Sequence, residues 1–111
     1  MSDPTIDPAT FAELQEAAGA EFVTELVQTF LQEAPGMLKE LRESQAAGDA
    51  DTFRRAAHSL KSNSLTFGAL ALGAMARDLE LGGLPQQPDA LDTLTQEYLR
   101  VDASLKALCH V

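Results

Sequence analysis

The sequence contains little cysteine, few aromatic side chains and little positive charge. Cys109 is the only cysteine among 111 residues, so no disulfide can form within the chain. The beginning of the chain, residues 1–4, lacks the basic and apolar segments of a secretory signal peptide. Both features lead us to expect a reducing, cytoplasmic setting. No apolar run approaches the roughly 20 residues that a membrane-spanning helix needs, so the sequence argues against a transmembrane protein.

The charge balance limits the classes of molecule that the chain is expected to bind. Asp and Glu number 17 and Lys and Arg only 8, which gives a formal net charge of -9. Proteins bind nucleic acid and anionic lipid chiefly by neutralising phosphate with Lys and Arg. We therefore expect no nucleic-acid partner and no membrane association. Because 111 residues that are 45% hydrophobic fit one modest core, we expect a single domain over residues 1–111.

The composition favours helices over strands. Aromatic residues make up 5% of the chain, whereas Ala, Leu, Glu and Gln dominate. Apolar residues recur every three or four positions over residues 21–43, which predicts a long amphipathic helix. Its apolar stripe contains Phe22, Val23, Leu26, Val27, Phe30, Leu31, Ala34, Met37, Leu38 and Leu41. Pro35 lies inside this stripe and predicts a kink or short break near Ala34.

A short helix is predicted before this long one. It begins either at Asp7, which precedes a proline, or at a capping box that runs from Thr10 to Glu13. Gly19 ends it. We expect this helix to act as a lid.

Glycines, prolines and capping residues divide the rest of the chain into three more helices. They are predicted over residues 51–67, over residues 69–81 and after Asp89. The second has Leu72, Met75, Ala76 and Leu79 facing inward, and the third has a seam of Leu91, Leu94, Tyr98, Val101 or Leu99, Leu105 and Leu108. The pattern predicts an all-α fold, an antiparallel four-helix bundle with a short additional N-terminal helix.

The helix over residues 51–67 divides into two faces when its residues are placed at about 100° intervals. The core face contains Phe53, Ala56, Leu60, Ser64 and Phe67, with Ala57 at its margin. The opposite face contains Arg54, Arg55, His58, Lys61, Ser62 and Leu65. His58 lies nearly opposite the middle of the core face, so it should be exposed.

The face around His58 carries the residue types of a phosphoryl-transfer and docking surface. A neutral imidazole is a nucleophile that can form an N-phosphoryl bond without a separate base. Lys61 lies one turn further along, where its ammonium can contact phosphoryl oxygens, and two arginines lie one turn before. Ser62 leaves room for a partner, and Leu65 is a large apolar residue that folding does not require there.

These residues alone leave several interpretations open. A lone exposed histidine is usually a solvated surface residue, so the chain could be a non-catalytic helical adaptor that docks a partner through this face. A histidine-dependent phosphatase or a metal-binding bundle is a further alternative. No second imidazole or carboxylate follows His58 at three or four residues, however, to share a metal. We expect His110 and Cys109 to be inert tail residues.

Residues 57–69, Ala-His-Ser-Leu-Lys-Ser-Asn-Ser-Leu-Thr-Phe-Gly-Ala, resemble the signature of histidine-containing phosphotransfer domains. The matching features are the His, Leu-Lys at the second and third following positions, a small residue next, and Gly ten positions after the His. The similarity extends to residues 30–41, to the turn at Gly48-Asp49 and to Leu79-Glu80. It covers nearly the whole chain and agrees with the predicted helix count.

The resemblance implies that His58 accepts a phosphoryl group from a receiver-domain aspartate and passes it to another. Lys61 would help to hold the group. Ser62 stands where most members have Gly, and its hydroxyl could contact the phosphoryl group or narrow the range of partners. The implied partners are receiver domains of hybrid histidine kinases and response regulators, with magnesium bound by the receiver and no cofactor here. We expect a monomer, because the His58 face must stay available, and the initiating Met1 hints at a free-standing protein, although a domain of a larger hybrid kinase stays an open alternative. Lacking a Gly-rich phosphate loop, the chain should not be a kinase on its own.

Overall fold

The computed structural model describes residues 4–111. The prediction that no signal peptide begins the chain falls largely on residues 1–3, which lie outside the described residues. Five helices occur in chain order: α1 over Pro8–Ala18, α2 over Ala20–Ala47, α3 over Ala50–Thr66, α4 over Leu70–Gly82 and α5 over Asp89–Cys109. Residues 4–111 contain no strand. The predicted all-α bundle with a short additional N-terminal helix is confirmed.

The core lies between the helices, and α3 packs against both α2 and α4. The buried hydrophobic residues come from every helix and include Val23, Val27, Phe30, Leu41, Phe53, Leu60, Leu72, Leu79, Leu91, Leu94, Tyr98, Val101 and Leu105. Phe30 contacts the rings of Phe67 and Tyr98, with centroids 5.5 and 6.2 Å away. The predicted stripes are therefore largely the faces that meet in the core, and Val101 rather than Leu99 belongs to the seam of α5.

The first helix uses one of the two predicted starts. The Asp7 carboxylate accepts a hydrogen bond from the Thr10 N–H at 3.1 Å, and Pro8 occupies the first turn. Thr10 itself is inside the helix, so the alternative capping box is not used. Asp7 also donates its N–H to the Gly68 carbonyl at 2.8 Å, while Phe11 is buried. This helix thus covers the end of the bundle where α3 turns into α4.

The long helix α2 runs through Pro35 without interruption. The predicted short break near Ala34 is therefore wrong, and the alternative, a kink, stays a prediction. Pro35 lies on the exposed side of α2 and removes a single backbone donor. Buried residues before and after it, Phe30 and Leu41, hold both halves of the helix to the same core.

Two further burial predictions are wrong, and both concern helix ends. Phe22 is 51% exposed and Leu108 is 47% exposed. Phe22 lies in the first turn of α2 beside Val23, which takes the core side. Leu108 lies in the last turn of α5, past Leu105, the last buried residue of that helix.

Candidate functional site

The start of α3 is set by its N-terminal cap. Gly48 adopts a left-handed conformation at the end of α2, and Asp49 caps α3 by accepting hydrogen bonds from the hydroxyl and N–H of Thr52. The Thr52 hydroxyl, followed by its N–H, lowers the pKa of Asp49 below the usual 3.8. The helix is therefore fixed at its start, one turn before the arginines of the outward face.

The two predicted faces of α3 are the faces of the folded helix. The residues assigned to the core, Phe53, Ala56, Ala57, Leu60, Ser64 and Phe67, are all buried. Of the outward set, Arg54, Arg55, His58, Ser62 and Leu65 are exposed, and Lys61 is half-buried. The His58 side chain is 61% exposed, as its placement opposite the core predicts.

Glu80, on the neighbouring helix α4, joins the two central residues of this face. Its Oε2 lies 2.8 Å from His58 Nδ1, and its Oε1 lies 2.8 Å from Lys61 Nζ. The Glu80 side chain is only 12% exposed and that of Lys61 22%. Lys61, and then His58, lower the pKa of the Glu80 carboxyl below its ordinary 4.5, so the group is an anion at neutral pH.

This contact decides which nitrogen of His58 carries the proton. A carboxylate can only accept a hydrogen bond, so we assign the proton to Nδ1. In the neutral ring Nε2 then keeps its lone pair. This tautomer of His58 presents Nε2 on an exposed side chain with a free lone pair, which is the form required of a nucleophile.

The surroundings of His58 form an open, cation-lined depression. A cavity of about 480 Å³ is lined by Arg54, Arg55, His58, Ser59 and Glu80. Arg54 forms an exposed ion pair with Asp51 at 3.4 Å. The predicted cluster of positive charge around the histidine therefore exists, and the space beside the ring can admit a group the size of a phosphoryl.

Leu65 has a structural contact that the sequence did not indicate. Although it is 44% exposed, it packs over Gly73 of α4, where an added Cβ would lie 2.5 Å from Leu65 Cδ2. The view that folding does not require an apolar residue at this position was too simple. Gly73 leaves a notch that holds one side of Leu65, and the other side remains on the surface.

Glu80 is the site residue that sequence analysis missed. In the sequence it stands out only as part of the similarity at Leu79-Glu80. One local signal existed: Glu80 follows Leu79 and lies four residues after the buried Ala76, at the margin of the inward stripe of α4. An acidic residue at such a margin often has a partner on the adjacent helix.

Two further observations concern other classes of site. Within residues 4–111, no group of three or more His, Cys, Asp or Glu side chains is arranged to hold a metal ion. Over the same residues, none of the helices combines the length and apolar character needed to cross a bilayer. His110 is the C-cap of α5 and Cys109 is half-buried, and their predicted inertness stays a prediction.

Comparisons with known proteins agree with this geometry. The sequence profile of the Hpt domain matches residues 25–104. The sensor protein TorS of Escherichia coli (strain K12) is 29% identical over 109 residues, which are 98% of this chain but 11% of the sensor. The crystal structure of histidine-containing phosphotransfer protein B (HptB) from Pseudomonas aeruginosa PAO1 superposes with a TM-score of 0.88 at 29% identity, covering 98% of this chain and 97% of that one. The chain therefore belongs to the Hpt domain family and is a histidine phosphotransfer carrier of two-component relays.

Proposed function

We propose that His58 is the residue that carries the phosphoryl group and that Nε2 is the atom to which it is bonded. The observation that supports this most directly is the hydrogen bond between His58 Nδ1 and Glu80. It occupies one ring nitrogen and leaves the other as a nucleophile on an exposed side chain. The other histidine, His110, is the terminal cap of α5 and has no comparable setting.

The transfer step follows from the chemistry of the His58 imidazole and of the receiver's aspartyl phosphate. The Nε2 lone pair attacks the phosphorus of a receiver's aspartyl phosphate in line with the leaving carboxylate oxygen, and the P–O bond breaks. The same step in reverse passes the phosphoryl group to a second receiver. Charge stabilisation by Mg²⁺ belongs to the receiver in this proposal, so the chain needs no cofactor of its own.

Lys61 is proposed to help hold the phosphoryl group. Its ammonium lies one turn from His58 and is partly exposed, so it can turn from Glu80 toward a phosphoryl group on Nε2. Phosphoryl oxygens carry close to two negative charges, which compete effectively with one carboxylate for the ammonium.

The rest of the outward face is proposed as the docking surface for receiver domains. Arg54 and Arg55 provide positive charge against an acidic metal-binding pocket. Ser62 is small and exposed, so a partner can approach the ring closely, and Leu65 adds an apolar rim. The partners are receivers of hybrid histidine kinases and response regulators, met by a monomer in the cytoplasm.

Phosphotransfer from a labelled hybrid kinase with its receiver domain tests this proposal. The recipients are the wild-type chain, His58→Gln and, as a matched control, His110→Gln. We expect acid-labile, alkali-stable label on the wild type and on His110→Gln, and none on His58→Gln. Label that survives in His58→Gln, or no label on the folded wild type from a broad panel of receivers, contradicts the proposal. The second outcome favours a non-catalytic adaptor that docks through the same face.

A further inference from the structure

The Glu80 carboxylate has both of its oxygens committed. One accepts a hydrogen bond from His58 Nδ1 and the other pairs with Lys61, each at 2.8 Å. The side chain lies between α3 and α4 and is only 12% exposed. Low exposure and the hydrogen bond from Nδ1 hold the carboxylate beside the ring, so it stays against Nδ1 when the other side of the ring reacts, even while Lys61 turns to the phosphoryl group.

We infer that Glu80 is a positioning residue that keeps a proton on Nδ1 throughout the phosphoryl cycle. The phosphoryl group then enters and leaves Nε2 without any proton transfer, and the P–N bond stays labile at neutral pH. This inference rests on the proposal that Nε2 of His58 carries the phosphoryl group.

The proton on Nδ1 determines which leaving group the transfer releases. If Nδ1 is unprotonated, breaking the P–Nε2 bond releases an imidazolate anion, which is a very poor leaving group. If Nδ1 carries a proton, the same step releases a neutral imidazole. An oxygen of the receiver's aspartate attacks phosphorus, the P–Nε2 bond breaks, and its electron pair returns to Nε2. The proton on Nδ1 does not move, and the ring is left in the tautomer that accepts the next phosphoryl group.

The charges around the ring make Glu80 the group that stabilises the phosphorylated ring with a proton on Nδ1. A ring with a proton on Nδ1 and phosphorus on Nε2 is positive. The cations on its own helix, Arg54, Arg55 and Lys61, oppose that charge, although they are attracted to the phosphoryl oxygens. On α2, Glu40 lines a separate cavity with Arg55. Glu80 alone among the described residues forms an ion pair with the ring, at 2.8 Å, so its negative charge favours the proton on Nδ1.

The test compares the lifetime of the phosphorylated chain across pH. Wild type, Glu80→Gln and Glu25→Gln are loaded with phosphoramidate, a small donor that needs no receiver, and the donor is removed. Loss of the phosphoryl group is followed by phosphorus NMR and intact mass between about pH 5 and pH 9. Glu25 is a suitable control because it lies on α2 twelve residues before Met37, or about 18 Å along the helix from the level of the site.

We expect the phosphorylated Glu80→Gln chain to survive roughly three to ten times longer at pH 7.5, with its loss shifted to lower pH. Glu25→Gln should match wild type. Equal or shorter lifetimes for Glu80→Gln, with an unchanged pH profile, overturn the inference and leave the carrier role of His58 intact. Phosphorylation that is not on His58 of the wild type contradicts the proposed function instead, so the two failures are distinguishable. Circular dichroism of each variant verifies the fold.

Discussion

The negative charge of Glu80 strengthens both of its contacts. Lys61 and His58 lower its pKa below the ordinary 4.5, so the folded state holds the carboxyl ionised more strongly than the unfolded chain does. A depressed folded-state pKa means that the stabilisation is complete above the unfolded pKa and is lost as pH falls through the folded pKa. The connection between α3 and α4 is therefore acid-sensitive.

This linkage gives the first stability prediction. At pH 7 the free energy of unfolding should be lower for Glu80→Gln than for wild type, because the ion pair with Lys61 is gone. The difference should shrink as pH falls below 4.5 and vanish once the carboxyl is protonated in both states. Urea unfolding followed by circular dichroism over this pH range measures it, with Glu25→Gln as control. A difference that is constant down to low pH contradicts the assignment.

Lys61 supplies a second prediction at the same scale. Lys61→Ala should slow phosphoryl transfer from a receiver by roughly tenfold. This loss is smaller than that expected for a fully buried hydrogen-bond donor, because the Lys61 side chain is partly exposed and solvent weakens its charge. Lys39→Ala, which removes an exposed lysine of α2, should transfer at the wild-type rate. Rapid-quench kinetics with a phosphorylated receiver measure the transfer rate of both variants. A wild-type rate for Lys61→Ala shows that its role is only to hold Glu80.

The sequence allowed the α3 half of the site to be predicted but not the α4 half. His58 and Lys61 are three residues apart on one helix, and helical periodicity alone determines that they are neighbours. Glu80 is 22 residues away from His58, and its position depends on how two helices dock. No periodicity encodes that docking. The same holds for Leu65, whose partial burial follows from Gly73 on the other helix.

At the scale of elements, the turn between α3 and α4 depends on Gly68. This residue has φ of 83°, and a Cβ placed on it would lie 3.0 Å from Thr10 Cβ and 3.1 Å from the Asp7 carbonyl oxygen. The left-handed conformation disfavours any side chain, and the second contact is with backbone that cannot easily move. The turn and the first helix are thus joined at a point where glycine is strongly favoured over any residue with a side chain.

We therefore expect Gly68→Ala to reduce the free energy of unfolding by about 1–3 kcal/mol. Gly36→Ala is a matched control, because Gly36 lies in helical geometry within α2 with open space around it. That substitution should be neutral or stabilise by up to about 1 kcal/mol. Thermal and urea denaturation of both variants measure the contrast. Equal stability of the two would contradict the tight packing of α1 on this turn.

Helix boundaries were predictable because their signals are local. Gly19, Gly48 and Gly68 have positive φ, and Asp7 and Asp49 cap the helices that follow them. Burial in the end turns was less predictable, as Phe22 and Leu108 show. A helical stripe continues in sequence past the point where a neighbouring helix covers it, and the end of that cover is a property of the assembled bundle.

At the scale of the whole molecule, one face of α3 stabilises the core and the opposite face is proposed to dock receiver domains. Leu60 is completely buried, whereas Leu65 is 44% exposed. Leu60→Ala should cost about 2–5 kcal/mol of stability. Leu65→Ala should cost much less but weaken receiver binding. Urea denaturation, together with calorimetric titration of a receiver domain, tests both. Unchanged receiver affinity for Leu65→Ala excludes this residue from the docking surface.

Pro35 has a consequence for how α2 moves. Because proline has no N–H, the Leu31 carbonyl lacks its usual donor within the helix, and this gap lies near the middle of α2. Hydrogen exchange should therefore be faster in the turn around Pro35 than at the buried positions on either side of it. The part of α2 that follows the proline, with Met37 and Glu40, lies beside Arg55 and Ser59 of α3. We expect this turn to be the place where α2 adjusts when a receiver docks, while Phe30 and Leu41 stay packed in the core.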